Sequence, residues 1–312
     1  MTVIIGGHRG SGCTDSPHAQ NIGQVKPPEN TLESIELAIK NGAKLIEVDA
    51  VQTADNHLVV IHSNALSNHV FGHQSSESDI GFVADHTLED LQQFKVGPQG
   101  THTIPTLREV LDLCKDVALN IEIKDVKGTD TAKFTAGKPT LVDLLADEIA
   151  EHPGSIIVSS FSIWDLVAMK ERLPDVPRAQ LFETIKKDER PIYGDDCPDD
   201  SWYRMFNVAN VLEAIRRADV QYVHPCIDSM HEEVVALCEQ YNLSINTWAL
   251  HENLPAQMHE QIATAVNLCK EHGVQLGIIT DYVPEMLELI PQISLDIEGV
   301  SRLMGLDEGP SL

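Results

Sequence analysis

The chain has 312 residues, with 22 Lys and Arg against 48 Asp and Glu, and a formal charge of −26. Apolar residues make up 42%, enough for a full core without a disulfide or metal staple and too many for a disordered chain. The charge argues against a nucleic-acid partner and against docking on anionic lipid. No apolar stretch approaches the ~20 residues of a membrane span, so no stable membrane anchoring is expected.

Met1 runs almost directly into a strand candidate, Val3 to Gly7. No basic segment followed by an apolar one precedes it, so a cytoplasmic protein is expected. Gly10 to Pro28 is a long polar loop. Thr31 to Asn41 has apolar residues at helical spacing, with Thr31 or Asn30 as cap and Gly42 at its end. Lys44 to Val51 is the second strand, and Leu58 to His62 reads as a hairpin return across Ala54-Asp55-Asn56. Ser63 to His86 is polar and reads as a small excursion. Helical spacing returns at Leu107 to Lys115, Leu141 to His152, Ile163 to Arg172, Val208 to Ala218 and Glu232 to Tyr241. Strand candidates lie at Val117 to Lys124, Ser155 to Phe161, Arg178 to Phe182, Val220 to His224, Ser244 to Ala249 and Leu276 to Asp281. Thr184 to Asp200, with Pro191 and Pro198, reads as an exposed loop. The stretch after Ile290 either wraps the body or frays.

With the hairpin return set aside, eight strands alternate with helices. That pattern predicts an α/β fold, a (β/α)₈ TIM barrel forming one domain over 1–312, with a small insertion at 63–86 and a C-terminal extension at 291–312. A doubly wound open sheet is the second choice, but no glycine-rich nucleotide turn follows the first strand. The six cysteines are scattered without a C-x-x-C pair and read as reduced thiols.

In such a barrel the carboxyl ends of the strands converge on one face, where active sites lie. The first strand ends in His8-Arg9-Gly10. The second carries Glu47 and Asp49, two apart and so on one side of the strand. The return ends in His62, and the next strand contains Glu122 and Lys124. Buried carboxylates are costly unless a cation meets them. Glu47, Asp49 and Glu122 make an all-oxygen site suited to one divalent cation, Mg²⁺ or Ca²⁺. His8 and His62 suit acid–base work near neutral pH. Arg9 and Lys124 supply fixed charge for phosphate oxygens. Together these groups describe hydrolysis of a phosphate ester. His69, His73, His86 and His102 read as polar loop residues.

At these positions the sequence resembles the glycerophosphodiester phosphodiesterase family, from Gly7 to about Leu287. The resemblance rests on an ordered set of segments: Gly7-His8-Arg9-Gly10, Pro28-Glu29-Asn30-Thr31, Ile46-Glu47-Val48-Asp49, Val59-Val60-Ile61-His62, Ile104-Pro105-Thr106-Leu107, Asn120-Ile121-Glu122-Ile123-Lys124, Ser159-Ser160-Phe161, Leu181-Phe182, Ile245-Asn246-Thr247-Trp248 and Gly277-Ile278-Ile279-Thr280-Asp281. It implies a barrel with a small insertion after the second strand. It also implies a metal on Glu47, Asp49 and Glu122, an acid–base pair His8 and His62, and phosphate contacts from Arg9 and Lys124. Glu29 would be a metal-shell residue or would orient Arg9, and Phe161 and Trp248 would line the pocket. The implied substrate is a small-molecule glycerophosphodiester, giving glycerol 3-phosphate and an alcohol. Which histidine is the base, and whether water or the substrate's 2-hydroxyl attacks, stay open.

The sequence departs from the family pattern at Ser63, where Asp is usual after the second histidine. It also departs at Val274-Gln275-Leu276-Gly277 and at Ala249-Leu250-His251. The loop from Ser11 to Pro28 resembles the extended loop of the eukaryotic cytosolic branch. Two other readings compete. A phospholipase D of the sphingomyelinase type would need an apolar lipid-facing surface and secretion. A catalytically silent barrel that binds a phosphodiester has Ser63 as its sole hint.

Overall fold

The computed structural model describes residues 1–14, 26–62, 65–66, 70–71, 80–124, 138–182, 208–249 and 258–303. Ser63, His69, His73, the Thr184–Asp200 loop, Leu250, His251 and residues 15–25 of the loop after the first strand lie outside them, as do residues 304–312 of the extension.

The strands are β1 (Ile4–Gly7), β2 (Leu45–Gln52), β3 (Leu58–Val60), β4 (Ala118–Ile123), β5 (Ile156–Ser160), β6 (Arg178–Phe182), β7 (Tyr222–Pro225), β8 (Ser244–Ala249) and β9 (Leu276–Thr280). They form one sheet in the order β1-β9-β8-β7-β6-β5-β4-β2-β3, and the further pairing of β1 with β2 closes it. All pairings are parallel except that of β3, which returns antiparallel along β2 with Ala50 opposite Val60. The barrel therefore has eight parallel strands, and β3 is a hairpin appended to its wall. This is a (β/α)₈ TIM barrel.

The helices are α1 (Leu32–Lys40), α2 (Leu88–Gln93), α3 (Leu107–Leu113), α4 (Leu141–Ile149), α5 (Ile163–Arg172), α6 (Val208–Ala218), α7 (Glu232–Tyr241), α8 (His259–Glu271) and α9 (Val283–Leu303). None of the described helices is long and apolar enough to cross a membrane. Threonine starts several of them for a local reason. At Thr106 the hydroxyl accepts from the Glu109 N–H at 3.2 Å, and the Glu109 carboxylate accepts from the Thr106 N–H at 2.8 Å. Thr87 with Asp90 and Thr140 with Asp143 repeat this reciprocal cap.

The two faces of each strand have different work. Ile46, Val48 and Ala50 of β2, and Leu119, Ile121 and Ile123 of β4, join the large cluster packed beneath the helices. Glu47, Asp49, Asn120 and Glu122, their alternates, are buried on the other face, inside the barrel. A second, smaller cluster forms beside the β2–β3 hairpin from Val51, Val59, Ile61, Leu66, Val70, Val83, Leu91, Val96 and Ile104. The excursion after β3 thus has its own apolar centre.

At the base of the barrel a fully buried cation ties two helix ends together. Arg178, 0% exposed, opens β6. Its guanidinium donates to the carbonyls of Leu173 (3.3 Å) and Pro174 (3.1 Å) after α5, and to those of Ala218 (2.8 Å) and Asp219 (3.1 Å) at the end of α6. These are carbonyls that a helix leaves without intrahelical partners, at the negative end of its dipole. Arg178→Met keeps much of the volume but removes the guanidinium from all four, leaving Leu173 with the Val176 N–H and Asp219 with the Gln221 amide. It is expected to cost about 3 kcal/mol of unfolding free energy. Denaturant melts compared with the parent check this, and an unchanged midpoint would show that solvent serves those carbonyls equally well.

Candidate active site

The site begins where β1 ends. After Gly7 the chain turns through Arg9 (φ 49°) and Gly10 (φ 86°), both left-handed. A Cβ at Gly10 would lie 2.7 Å from the backbone of Ser34 in α1, so glycine is required there. The Ser34 hydroxyl donates to the Arg9 carbonyl at 3.1 Å and accepts from the Ser11 N–H at 2.8 Å, fixing the turn against α1. This turn presents His8 and Arg9 together at the barrel mouth.

Arg9 is held at three points. Its backbone N–H donates to Glu47 Oε2 at 2.9 Å, its Nη1 donates to Glu29 Oε1 at 2.8 Å, and its Nε lies 3.5 Å from Asp49 Oδ2. Glu29 is held in turn. Its Oε2 accepts from the Thr14 N–H, and its own N–H donates to the Thr14 hydroxyl, both at 2.9 Å. The Glu29 carboxylate therefore faces Arg9 and the start of the loop.

Glu47, Asp49 and Glu122 are all buried, and each offers an oxygen within 4.8 Å of the other two. Lys124 Nζ lies against two of them, 3.0 Å from Asp49 Oδ1 and 2.6 Å from Glu122 Oε1. Asn30 grips Asp49 from the far side: its amide donates to Oδ2 at 2.8 Å, and its carbonyl oxygen accepts from the Asp49 N–H at 3.3 Å. Burial and the neighbouring Asp49 charge push the Glu47 carboxyl above the ordinary range. Burial also raises Glu122, with Lys124 opposing. Asp49 goes the other way, because Lys124, His62 and Arg9 together outweigh its burial. Glu47 Oε1 is buried and accepts no hydrogen bond from the described residues. Three buried carboxylates, one with an unserved oxygen, fit a hard divalent cation with oxygen ligands.

The two histidines stand in different surroundings. His8 Nδ1 donates to Asp281 Oδ1 at 2.8 Å, which leaves Nε2 turned toward the carboxylates, 3.9 Å from Glu47 Oε2. Burial and Arg9 disfavour the imidazolium of His8, but Asp281 outweighs both and holds its pKa well above the ordinary 6.5. His62, one residue beyond Ile61 in the hairpin return, is lowered to about 2 by burial, with Lys124, Arg9 and His8 adding to the effect.

The structure thus gathers His8, Arg9, Glu29, Glu47, Asp49, His62, Glu122 and Lys124 at one mouth. Phe161 follows β5, two strands from β2, and Trp248 lies in β8, two strands from β1. Both are at carboxyl ends of strands. The Trp248 indole N–H donates to the His224 carbonyl at 3.0 Å, and the Gln180 amide donates to the Phe161 carbonyl at 3.0 Å. Sequence reasoning gave no site role to Asp281, and it read Asn30 only as a candidate helix cap. Asp281 is the polar residue directly after the last strand, so the strand-end rule that found His8 would also have found it. Asn30 gave no such signal, because its type and place suit a helix cap.

Comparison with known proteins identifies the family and agrees with the fold. Residues 8–285 match the model of the glycerophosphoryl diester phosphodiesterase family. A glycerophosphodiester phosphodiesterase of Caldanaerobacter subterraneus subsp. tengcongensis is 25% identical over 297 residues, covering 93% of this chain and 98% of its own. The Bacillus subtilis protein YhdW is 33% identical over 268 residues, covering 82% of this chain and 89% of its own. Among solved structures, an Oleispira antarctica phosphodiesterase in complex with the product sn-glycerol-3-phosphate superimposes with a TM-score of 0.65 at 20% identity, covering 92% of this chain and 96% of that one. With its barrel, its strand-end residues and a match over nearly its whole length, the chain belongs to the glycerophosphoryl diester phosphodiesterase family.

Proposed function

We propose that the protein hydrolyses water-soluble glycerophosphodiesters, such as glycerophosphocholine or glycerophosphoethanolamine, to glycerol 3-phosphate and an alcohol. The observation that carries this reading is the convergence of three buried carboxylates, two fixed cations and two histidines on one barrel mouth. The Oleispira neighbour's complex with sn-glycerol-3-phosphate supports a site built around the glycerol phosphate half. Glu47, Asp49 and Glu122 would hold one Mg²⁺ or Ca²⁺, which would supply charge neutralisation for the phosphoryl oxygens.

The chain's own groups do the rest. Arg9 and Lys124 keep positive charge at the mouth as charge builds on the phosphoryl group. Glu29 and Asp49 fix the Arg9 fork, so little reorganisation is needed when the phosphate arrives. Asp281 sets the His8 tautomer and aims Nε2 at the reacting centre. One imidazole takes the proton of the attacking oxygen, and the other protonates the departing alkoxide. The attacking oxygen belongs to water or to the glycerol 2-hydroxyl, and the second route passes through a cyclic phosphate.

Three outcomes follow. Protein stripped with chelator should release no glycerol 3-phosphate from glycerophosphocholine until Mg²⁺ or Ca²⁺ is restored. Full turnover in chelator would remove the metal from this reading. His8→Ala and His62→Ala should each lower kcat by roughly 10²–10⁴-fold, and a loss under about tenfold in either would overturn its role in proton transfer. Asp281→Asn removes the charge that raises the His8 pKa. The limb of the kcat/KM–pH profile set by His8 should therefore move to lower pH, with the folded state, read by circular dichroism, retained.

A further inference from the structure

Beside the carboxylate cluster lies a second group of ligand-type side chains with a different chemistry. His8, Cys13 and Asp281 offer a nitrogen, a sulfur and an oxygen, all within 4.8 Å of one another. Cys13 is a free, buried thiol, and its Sγ lies 3.7 Å from His8 Nδ1. A tetrahedral zinc-class ion with bonds of about 2.0 Å to nitrogen and 2.3 Å to sulfur sets those atoms about 3.5 Å apart. Asp281 is 2% exposed; its Oδ1 accepts from His8 Nδ1 at 2.8 Å and from the Cys13 N–H at 3.1 Å, whereas its Oδ2 is buried and accepts nothing from the described residues. The cluster therefore holds an unserved carboxylate oxygen next to a thiol and an imidazole. Two cations are nearby: Lys26, whose Nζ is spent on the carbonyls of Asp281 (2.9 Å) and Ser11 (3.2 Å), and Arg9, which is fixed by Glu29 and Asp49 and acts on all three groups.

We propose that His8 Nδ1, Cys13 Sγ and Asp281 Oδ2 form a second metal site, selective for Zn²⁺-class ions, whose occupation takes His8 out of catalysis. Its selectivity follows from the donors. Thiolate and imidazole favour Zn²⁺ over the hard ions that an all-oxygen cluster accepts. Binding releases the Cys13 thiol proton to solvent. The His8 Nδ1 proton moves to Nε2, or is lost to solvent if the ring starts as imidazolium, and no electrons are transferred. A ring coordinated through Nδ1 keeps its remaining proton on Nε2 and accepts no other. It also loses the Asp281 hydrogen bond that aims it. The inhibitory consequence rests on the proposed role of His8, whereas the metal site itself does not.

Co²⁺ reports on this site without reference to activity. In protein saturated with Mg²⁺, one equivalent of Co²⁺ should produce a thiolate-to-cobalt charge-transfer band in the near ultraviolet, and Zn²⁺ should abolish it. The band should be absent from Cys13→Ser, whose folding is checked by its thermal melt. In the wild-type protein Zn²⁺ should slow alkylation of Cys13, mapped by mass spectrometry, by about tenfold, a measurement that needs no variant. In the Mg²⁺-saturated assay Zn²⁺ should inhibit the parent at concentrations about tenfold lower than Cys13→Ser. No band in the parent, or an equal band in Cys13→Ser, would overturn the site. Equal zinc inhibition of the two proteins would overturn the inhibitory role and assign it to exchange at the carboxylates. If no diester is turned over, the cobalt band still decides the site, so the two readings fail separately.

Discussion

Asp49 is the point on which the mouth of this barrel depends. It is 1% exposed, and its carboxylate meets Lys124 from just after β4, Arg9 from the turn after β1 and Asn30 from the approach to α1. An isolated buried carboxylate would cost several kcal/mol. Here three separate chain segments converge to meet that charge, and each then presents something useful. The residue after Asn30 caps α1. The residue before Arg9 is His8. Two residues before Lys124 is Glu122. Neutralising one buried charge therefore aligns the groups that would hold a metal and move protons.

That neutralisation is incomplete. Five carboxylates (Glu29, Glu47, Asp49, Glu122 and Asp281) face three Lys and Arg charges, Arg9, Lys124 and Lys26. The excess appears where it should, in the upward push on Glu47 and Glu122 and in the charge that Asp281 favours on His8. A divalent cation offsets two of those charges, and a singly charged phosphodiester then restores one. A site left acidic by this much is poised for metal first and anion second, and the chain's overall charge of −26 gives the anion no long-range help.

The barrel was legible in the sequence because each strand carries two signals at once. Apolar alternates such as Ile46, Val48 and Ala50 marked the helix-facing side, and the polar alternates Glu47 and Asp49 marked the interior. Glu122 and Lys124 repeated the pattern one strand further on. Asp281 and Cys13 escaped because their roles are made by closure of the barrel. His8 and Asp281 are 273 residues apart, and only the pairing of β1 with β9 makes them neighbours. Asn30 escaped for the opposite reason, since a local explanation as a helix cap was sufficient. Local periodicity reveals which face a residue occupies, and long-range closure decides which partner it meets there.

The same closure fastens the described ends of the loop after β1 beside His8 and Arg9. The loop after β1 is fastened on both sides of residues 15–25. Before them, Gly12 (φ 109°) brings the backbone so close that a Cβ would lie 2.7 Å from Asp281 Cβ, and the Cys13 N–H and Thr14 N–H reach Asp281 and Glu29. After them, Lys26 Nζ bridges the Ser11 and Asp281 carbonyls, and Glu29 returns to Arg9. The fastening points are the groups that orient His8 and Arg9. Sequence between them can change while His8 and Arg9 keep their aim. Because the fastening includes Cys13, the hold on this loop passes through the one thiol that touches His8 among the described residues.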